Sequence, residues 1–369
     1  MISVTCSGLR HVTFVTSMML LAGCASVATT SSAPTVSVTA SAETQPVGSS
    51  ATVDAADDPA IFAPADGQPF RFAGQDVGGV ILGTDKKAGL YVYDLQGKSL
   101  QFLPDGLLNN VDMRVEADGQ GFIAGASDRG RMGVSLYRFS KTRSSSDRLE
   151  PAGFIKSDVV EPYGFCMGRR GDTIIAVLVA KDGAVRQYAL AQGADGQYTG
   201  TEERRFAVGT QSEGCVVDDK AGTLYIGEEM KGVWRYAIDP ASADARVLVQ
   251  GLGDGRLVAD VEGTTIIEDG GARYLIVSSQ GDSAFAVWRV DGAEPAYVGR
   301  FRVVDTAGGV DGISGTDGLD AHGGPVPGYP AGLLVIQDDQ NIDANKVAGP
   351  QNFKLVDWAA VRLALGIAN

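Results

Sequence analysis

The sequence predicts an all-β fold, a six-bladed β-propeller, on three observations. Glycine is abundant, 49 of 369 residues, among many Val, Ile, Tyr and Thr, which favours short strands and tight turns over helices. From residue 57 to the C-terminus a strand-turn-strand-loop-strand unit recurs about every 45–55 residues, the spacing of propeller blades. Each unit opens with Asp, Glu or Asn beside a turn.

The chain begins with a segment that precedes any fold. Residues 1–24 carry Arg10 and His11, an apolar run from Val12 to Leu21, and then Leu21-Ala22-Gly23-Cys24. This has the form of a secretory signal and is too short for a durable membrane span. Leu-Ala-Gly-Cys resembles the bacterial lipobox, with Cys24 as the lipidated residue. A plain secretory leader that happens to contain Cys24 is the alternative. Residues 25–53, rich in Ser, Thr, Ala and Val, read as a flexible tether, and the propeller is expected over residues 54–365. No later stretch is apolar enough to cross a bilayer, so membrane attachment would be by lipid alone. The expected location is outside the cytoplasm: periplasmic or outer-membrane-anchored, or else extracellular.

The six units follow in order. Asp57-Asp58-Pro59 opens the first, which runs through Val80-Ile81-Leu82 and Lys86-Lys87 to Leu90-Tyr91-Val92-Tyr93. Asn109-Asn110-Val111-Asp112 opens the second, with Asp128-Arg129 in its loop, and Glu161-Pro162-Tyr163 the third, with Lys181-Asp182. Ser212-Glu213-Gly214 precedes Glu228-Glu229, Asp260-Val261-Glu262-Gly263 precedes Gln280-Gly281-Asp282, and Asp317-Gly318-Leu319-Asp320 precedes Asp338-Asp339-Gln340. Such a unit cannot bury its face alone, so six of them fit a closed ring. The opening residues should then converge on one mouth of that ring, together with the loop after each second strand.

Charge and rare residues exclude several functions. A net charge of −14 disfavours nucleic acid, whose phosphates are bound by clustered Lys and Arg, and suits cations. The two histidines, His11 and His322, leave little for His-based catalysis or a zinc site. Cys6 and Cys24 are N-terminal. Cys166 and Cys215 have no metal-motif spacing, and either a disulfide or two buried thiols fits them.

Carboxylates crowded at one mouth cannot all stay ionised without cations. Calcium, with about six to eight oxygen ligands in loose geometry, suits loop-borne Asp, Glu, Asn and Gln. Lys86 or Lys87, Arg129 and Lys181 occupy matching loop positions, and Lys and Arg beside bound calcium point to an oxyanion such as phosphate. Attack on phosphorus by a metal-bound water would follow.

These residues resemble the bacterial calcium-dependent β-propeller phytases of the 3-phytase type over roughly residues 54–360. The most specific stretches are Asp57-Asp58-Pro59-Ala60-Ile61, Leu108-Asn109-Asn110-Val111-Asp112, Gln211-Ser212-Glu213-Gly214, Asp260-Val261-Glu262-Gly263, Thr316-Asp317-Gly318 and Gln351-Asn352-Phe353-Lys354. The resemblance implies hydrolysis of phosphomonoesters of phytate or calcium-phytate by a monomer holding several calcium ions, at one hydrolytic and one holding phosphate site. It implies calcium ligands at Asp58, Tyr163, Glu213, Glu229, Asp260, Glu262, Gln280, Asp311 and Asp317, with Asp57 and Asn341 as candidates for binding further calcium that stabilises the fold. Glu213, Asp260, Glu262, Asp317 and Tyr163 would form the catalytic set, and Lys86, Arg129 and Lys181 would contact substrate phosphates. Three positions depart from the pattern: Phe62 replaces a usual Trp, Gly315 replaces a common Asp, and the loop after Lys181 is less acidic. A calcium-dependent propeller lactonase or esterase, or a non-catalytic calcium-binding scaffold, is the alternative; the Lys/Arg set argues against the first.

Overall fold

The structure, a computed structural model, describes residues 31–141, 147–242, 244–307 and 309–368. Strands account for nearly all of its regular elements. Ala56–Phe62, Leu108–Val115, Pro162–Arg170, Ser212–Asp218, Val261–Asp269 and Leu319–Gly323 touch one another in chain order, and the last touches the first. This closed circuit of inner strands defines a β-propeller. Each inner strand starts an antiparallel series, as in Ala56–Phe62, Val80–Asp85, Gly89–Asp94 and Ser99–Leu103. The series starting at Leu108–Val115 and Pro162–Arg170 merge into one sheet through a single parallel pair, Gly153 with Tyr198.

Middle strands carry unbroken apolar runs because each sheet is covered on both faces by its neighbours in the ring. Thr173–Ala180, with Ile175 to Ala180 fully buried, is one such strand. Between the first two series Phe62, Phe72, Phe122 and Phe139 interlock, with the Phe62 and Phe122 rings 4.8 Å apart. Burying one such ring contributes about 1.5–3 kcal/mol, so these packed wedges hold the ring closed.

The tether expected over residues 25–53 is corrected for its described part. Thr35–Thr39 adds in parallel to Ala296–Val304, and Ala42–Glu43 pairs with Asn352–Asp357. Val38, Ala40 and Val47 are buried. An added edge strand takes its hydrogen bonds from an existing sheet and needs only a few small apolar side chains, so a composition poor in large ones concealed it. The fold therefore begins before Asp54. The leader, His11 and Cys24 lie outside the described residues.

A C-terminal helix, Trp358–Leu365, was also not expected. Asp357 caps it by accepting from Ala359 N at 2.9 Å, and Trp358 and Val361 bury its inner face beside Val36 and Val38. Cys166 and Cys215 form a disulfide that joins two neighbouring inner strands, which settles the open alternative of the sequence.

Candidate active site

At the mouth, pairing between first and second strands slips in five series: between Ala56 and Pro59, Leu108 and Val111, Pro162 and Gly164, Ser212 and Cys215, and Val261 and Thr264. Within these slips lie Asp57, Asp58, Tyr163, Glu213 and Glu262. Bulges of this kind re-aim side chains, and here they gather polar groups at the ring's end. A glycine follows several of the openers. A Cβ at Gly164 would stand 1.8 Å from the Glu213 carbonyl oxygen, and one at Gly214 would stand 2.2 Å from that of Glu262. Gly263 repeats the contact toward Asp317 and Gly318 toward Asp57 and Asp58. Neighbouring inner strands approach too closely here for any side chain, which explains the acid-Gly pairs in the sequence.

A cavity of about 440 Å³ opens at this mouth, lined by Asp54, Lys86, Tyr163, Gln211, Glu229, Asp260, Glu262, Gln280, Gly315, Asp317 and Asp339. Lys86 Nζ lies 2.8 Å from Asp54 Oδ1, 3.1 Å from Asp57 Oδ2 and 2.8 Å from Asp317 Oδ2. Burial works against its charge, but the facing carboxylates outweigh this and raise its pKa. Lys86 therefore stays an ammonium. Asn109 Nδ2 donates to Asp57 Oδ1 at 3.2 Å and to Glu213 Oε1 at 2.6 Å. Gln280 Nε2 donates to Asp317 Oδ1 at 2.7 Å.

Glu213, Glu229 and Glu262 each offer an oxygen, all within 4.8 Å of one another. Each is at least 95% buried, and neither Glu229 Oε1 nor Glu262 Oε2 has a hydrogen-bond partner among the described residues. Burial raises all three pKa values, and neighbouring carboxylates raise them further: Asp57 and Asp317 at Glu213, Glu213 and Glu229 at Glu262, and Asp260 at Glu229. Burial, then Asp57, pushes Asp317 up to about 7, partly opposed by Lys86. Buried, unpartnered carboxylate oxygens are costly, and a hard cation relieves that cost. With oxygen donors and no imidazole or thiolate in the cluster, the site fits such an ion.

Burial, then the charges of Glu213 and Glu262, raise the pKa of Tyr163, so the phenol stays protonated. Lys181 stands over the Tyr163 ring, 5.1 Å from its centroid, and 3.9 Å from Glu161 Oε1. Arg129 Nη2 donates to the Lys86 carbonyl at 2.8 Å, while its buried Nε has no partner among the described residues. The expected phosphate contacts thus flank the acids.

Three expected ligands lie elsewhere. Asp311 and Asn341 surround the fully buried Lys354, whose Nζ also meets Glu43 and lies 3.3 Å from Asp338 Oδ2. One protein ammonium there faces the three carboxylates of Glu43, Asp311 and Asp338. Asp58 accepts from Val111 N at 3.1 Å and lines a second cavity of about 400 Å³ along the ring axis, shared with Asp112, Asp320 and His322. Asn109, Asp54, Gln211 and Asp339 escaped the sequence-based site. Asn109 was visible as a blade opener, and Asp339 as half of an Asp doublet.

The phytase family model matches residues 8–368. Over 326 residues the chain is 37% identical to the 3-phytase of Bacillus subtilis (strain 168), covering 85% of this chain and 82% of that one. Among solved structures it is similar to the WD40 repeats of RRP9, with TM-score 0.45, 10% identity and coverage of 83% of this chain and 84% of that one. A second is BBS1N in complex with ARL6DN, with TM-score 0.43, 12% identity and 76% of each chain covered. Family match and sequence identity, on a ring whose mouth gathers buried carboxylates beside Lys86, lead to one conclusion: this chain belongs to the phytase family.

Proposed function

We propose that this chain is a six-bladed propeller that hydrolyses phosphomonoesters of phytate and depends on calcium held at its mouth. The observation that carries the reading is the buried Glu213, Glu229 and Glu262 cluster, with unpartnered oxygens, in a cavity shared with Lys86. Six series of strands, each begun by one inner strand, support the blade count.

Calcium, when bound, supplies positive charge to phosphoryl oxygens and makes water more acidic. Glu213, Glu229, Glu262, Asp260, Asp317 and Gln280 would hold it. Glu213 is held by Asn109 Nδ2, which donates to its Oε1, so that oxygen stays aimed. Lys86, fixed by three carboxylates, presents a protonated Nζ that draws phosphate into the cavity. Arg129 and Lys181 add charge at the rim, where further phosphates of a polyphosphorylated ring would rest.

Export is part of the reading. The Cys166–Cys215 disulfide fits an oxidising compartment, and the lipobox-like Leu21-Ala22-Gly23-Cys24 would tether the protein by lipid. All residues of the mouth come from one ring, so a monomer would suffice.

The test is a substrate panel under calcium-replete conditions: phytate, a simple phosphomonoester, a lactone and a carboxylic ester. Phosphate release from phytate is expected. Lactone or ester turnover without phosphate release would overturn the reading, as would binding of phytate with no turnover at all.

A further inference from the structure

Asp339 is a mouth carboxylate that the sequence-based site does not contain. It sits at the turn after the strand Gly332–Asp338, half-exposed to the cavity, with its N–H donating to Ser314 O at 3.0 Å. Its Oδ1 accepts from Gln351 Nε2 at 2.5 Å. Gln351 is itself buried and accepts from Ala55 N and Ala56 N at 2.6 and 2.9 Å. Asp339 is therefore anchored to the strand that carries Asp57, which meets Lys86.

Gly315 lies against it. A Cβ at Gly315 would stand 3.1 Å from Asp339 Cβ and 3.4 Å from its Oδ2. Positions 315 and 339 thus address the same wedge of the mouth, and a side chain at one crowds the other. The sequence has glycine at 315, where the resemblance leads to an expected Asp, and a carboxylate at 339.

We infer that Asp339 is a cation-binding residue of the mouth, supplying from the neighbouring turn the carboxylate that position 315 lacks. The inference rests on the cation-binding reading above. Its second support is the pair of unpartnered buried oxygens on Glu229 and Glu262 in the same cavity, which call for positive charge there.

The alternative is that Asp339 merely anchors Gln351. Asp339→Asn separates the two, because the amide oxygen can still accept from Gln351 while the charge is gone. Calorimetric titration of chelator-stripped full-length protein with calcium chloride is the measurement. Asp339→Asn should weaken calcium binding by about tenfold or more, as loss of a site-supporting group does. The melting temperature of the stripped protein should stay close to the parent's. A titration superimposing on the parent's would overturn the inference.

Glu262→Gln in the same titration keeps the two levels apart. If it also leaves calcium binding unchanged, the cation-binding reading itself fails; if it alone weakens binding, only the Asp339 inference fails. The exchange variant Gly315→Asp/Asp339→Gly moves the carboxylate to the other side of the wedge, at a φ of +54° that Asp tolerates better than most residues. Recovery of calcium affinity relative to Asp339→Gly supports the shared wedge; no recovery contradicts it.

Discussion

Gly164 and Glu213 meet where two neighbouring inner strands come closest: a Cβ on the glycine would stand 1.8 Å from the Glu213 carbonyl oxygen. The backbone, and not only the side chains, thus sets the position of the buried acid. Gly164→Ala should push the two strands apart. Overpacking of this kind costs about 1–3 kcal/mol of stability. A displacement of about 1 Å at Glu213 should also lower turnover by about 100-fold. Thermal melts and phytate turnover, measured on the same preparation, check both; unchanged turnover would detach Glu213's position from catalysis.

The raised pKa values predict an exchange between apo stability and metal binding. Glu262 is held high by burial, then by Glu213 and Glu229, so the stripped protein carries a strained carboxylate. Glu262→Gln should raise the melting temperature of stripped protein and remove most of the gain that calcium gives the parent. Paired melts with chelator and with calcium measure it. A lowered apo melting temperature would contradict the assignment of strain to this group.

Stability should depend on pH with a definite sign. Asp317 and Asp320 are pushed up to about 7 and Asp338 to about 6, burial being the largest cause for each. A group whose folded pKa lies above its unfolded value binds its proton more tightly in the folded state. Its contribution is full below the ordinary carboxylate range and is lost as pH rises through the folded value. Stripped protein should therefore lose stability between about pH 4 and 7, and calcium should remove the part of that slope due to Asp317, where it replaces the proton, and leave the part due to Asp320 and Asp338. Denaturant titrations across this range, with and without chelator, provide the slope.

The Cys166–Cys215 disulfide lies three residues after Tyr163 and two after Glu213, and it joins their strands. Its 49-residue separation corresponds to about 4 kcal/mol in the chain-entropy account. Cys166→Ala/Cys215→Ala should lower unfolding free energy by about that amount, and since both half-cystines are buried the small gaps left by their sulfurs add to the loss. Urea unfolding of the oxidised parent and the variant measures it; equal midpoints would show the link to be energetically idle.

Much of the ring was legible because each blade repeats one pattern at the position where it meets the axis. Asp57, Glu213 and Glu262 could be placed together from that repetition alone, before any distance was known. Thr35–Thr39 was not legible, since an edge strand borrowing a sheet needs little apolar content of its own. Nor could the sequence separate Asp311 and Asn341 from the mouth. Only the fold brings Lys354, distant in sequence from Asp311, between the two. Asp339 was hidden for the opposite reason: its relation to Gly315 exists only where two loops cross.

The most direct test of the central claim is inorganic phosphate release from phytate by chelator-stripped protein as calcium is restored, with Glu213→Gln alongside. The account predicts no release without calcium, recovery on its addition to the parent, and little recovery in the variant. Release that persists in excess chelator, or full recovery with Glu213→Gln, would contradict it.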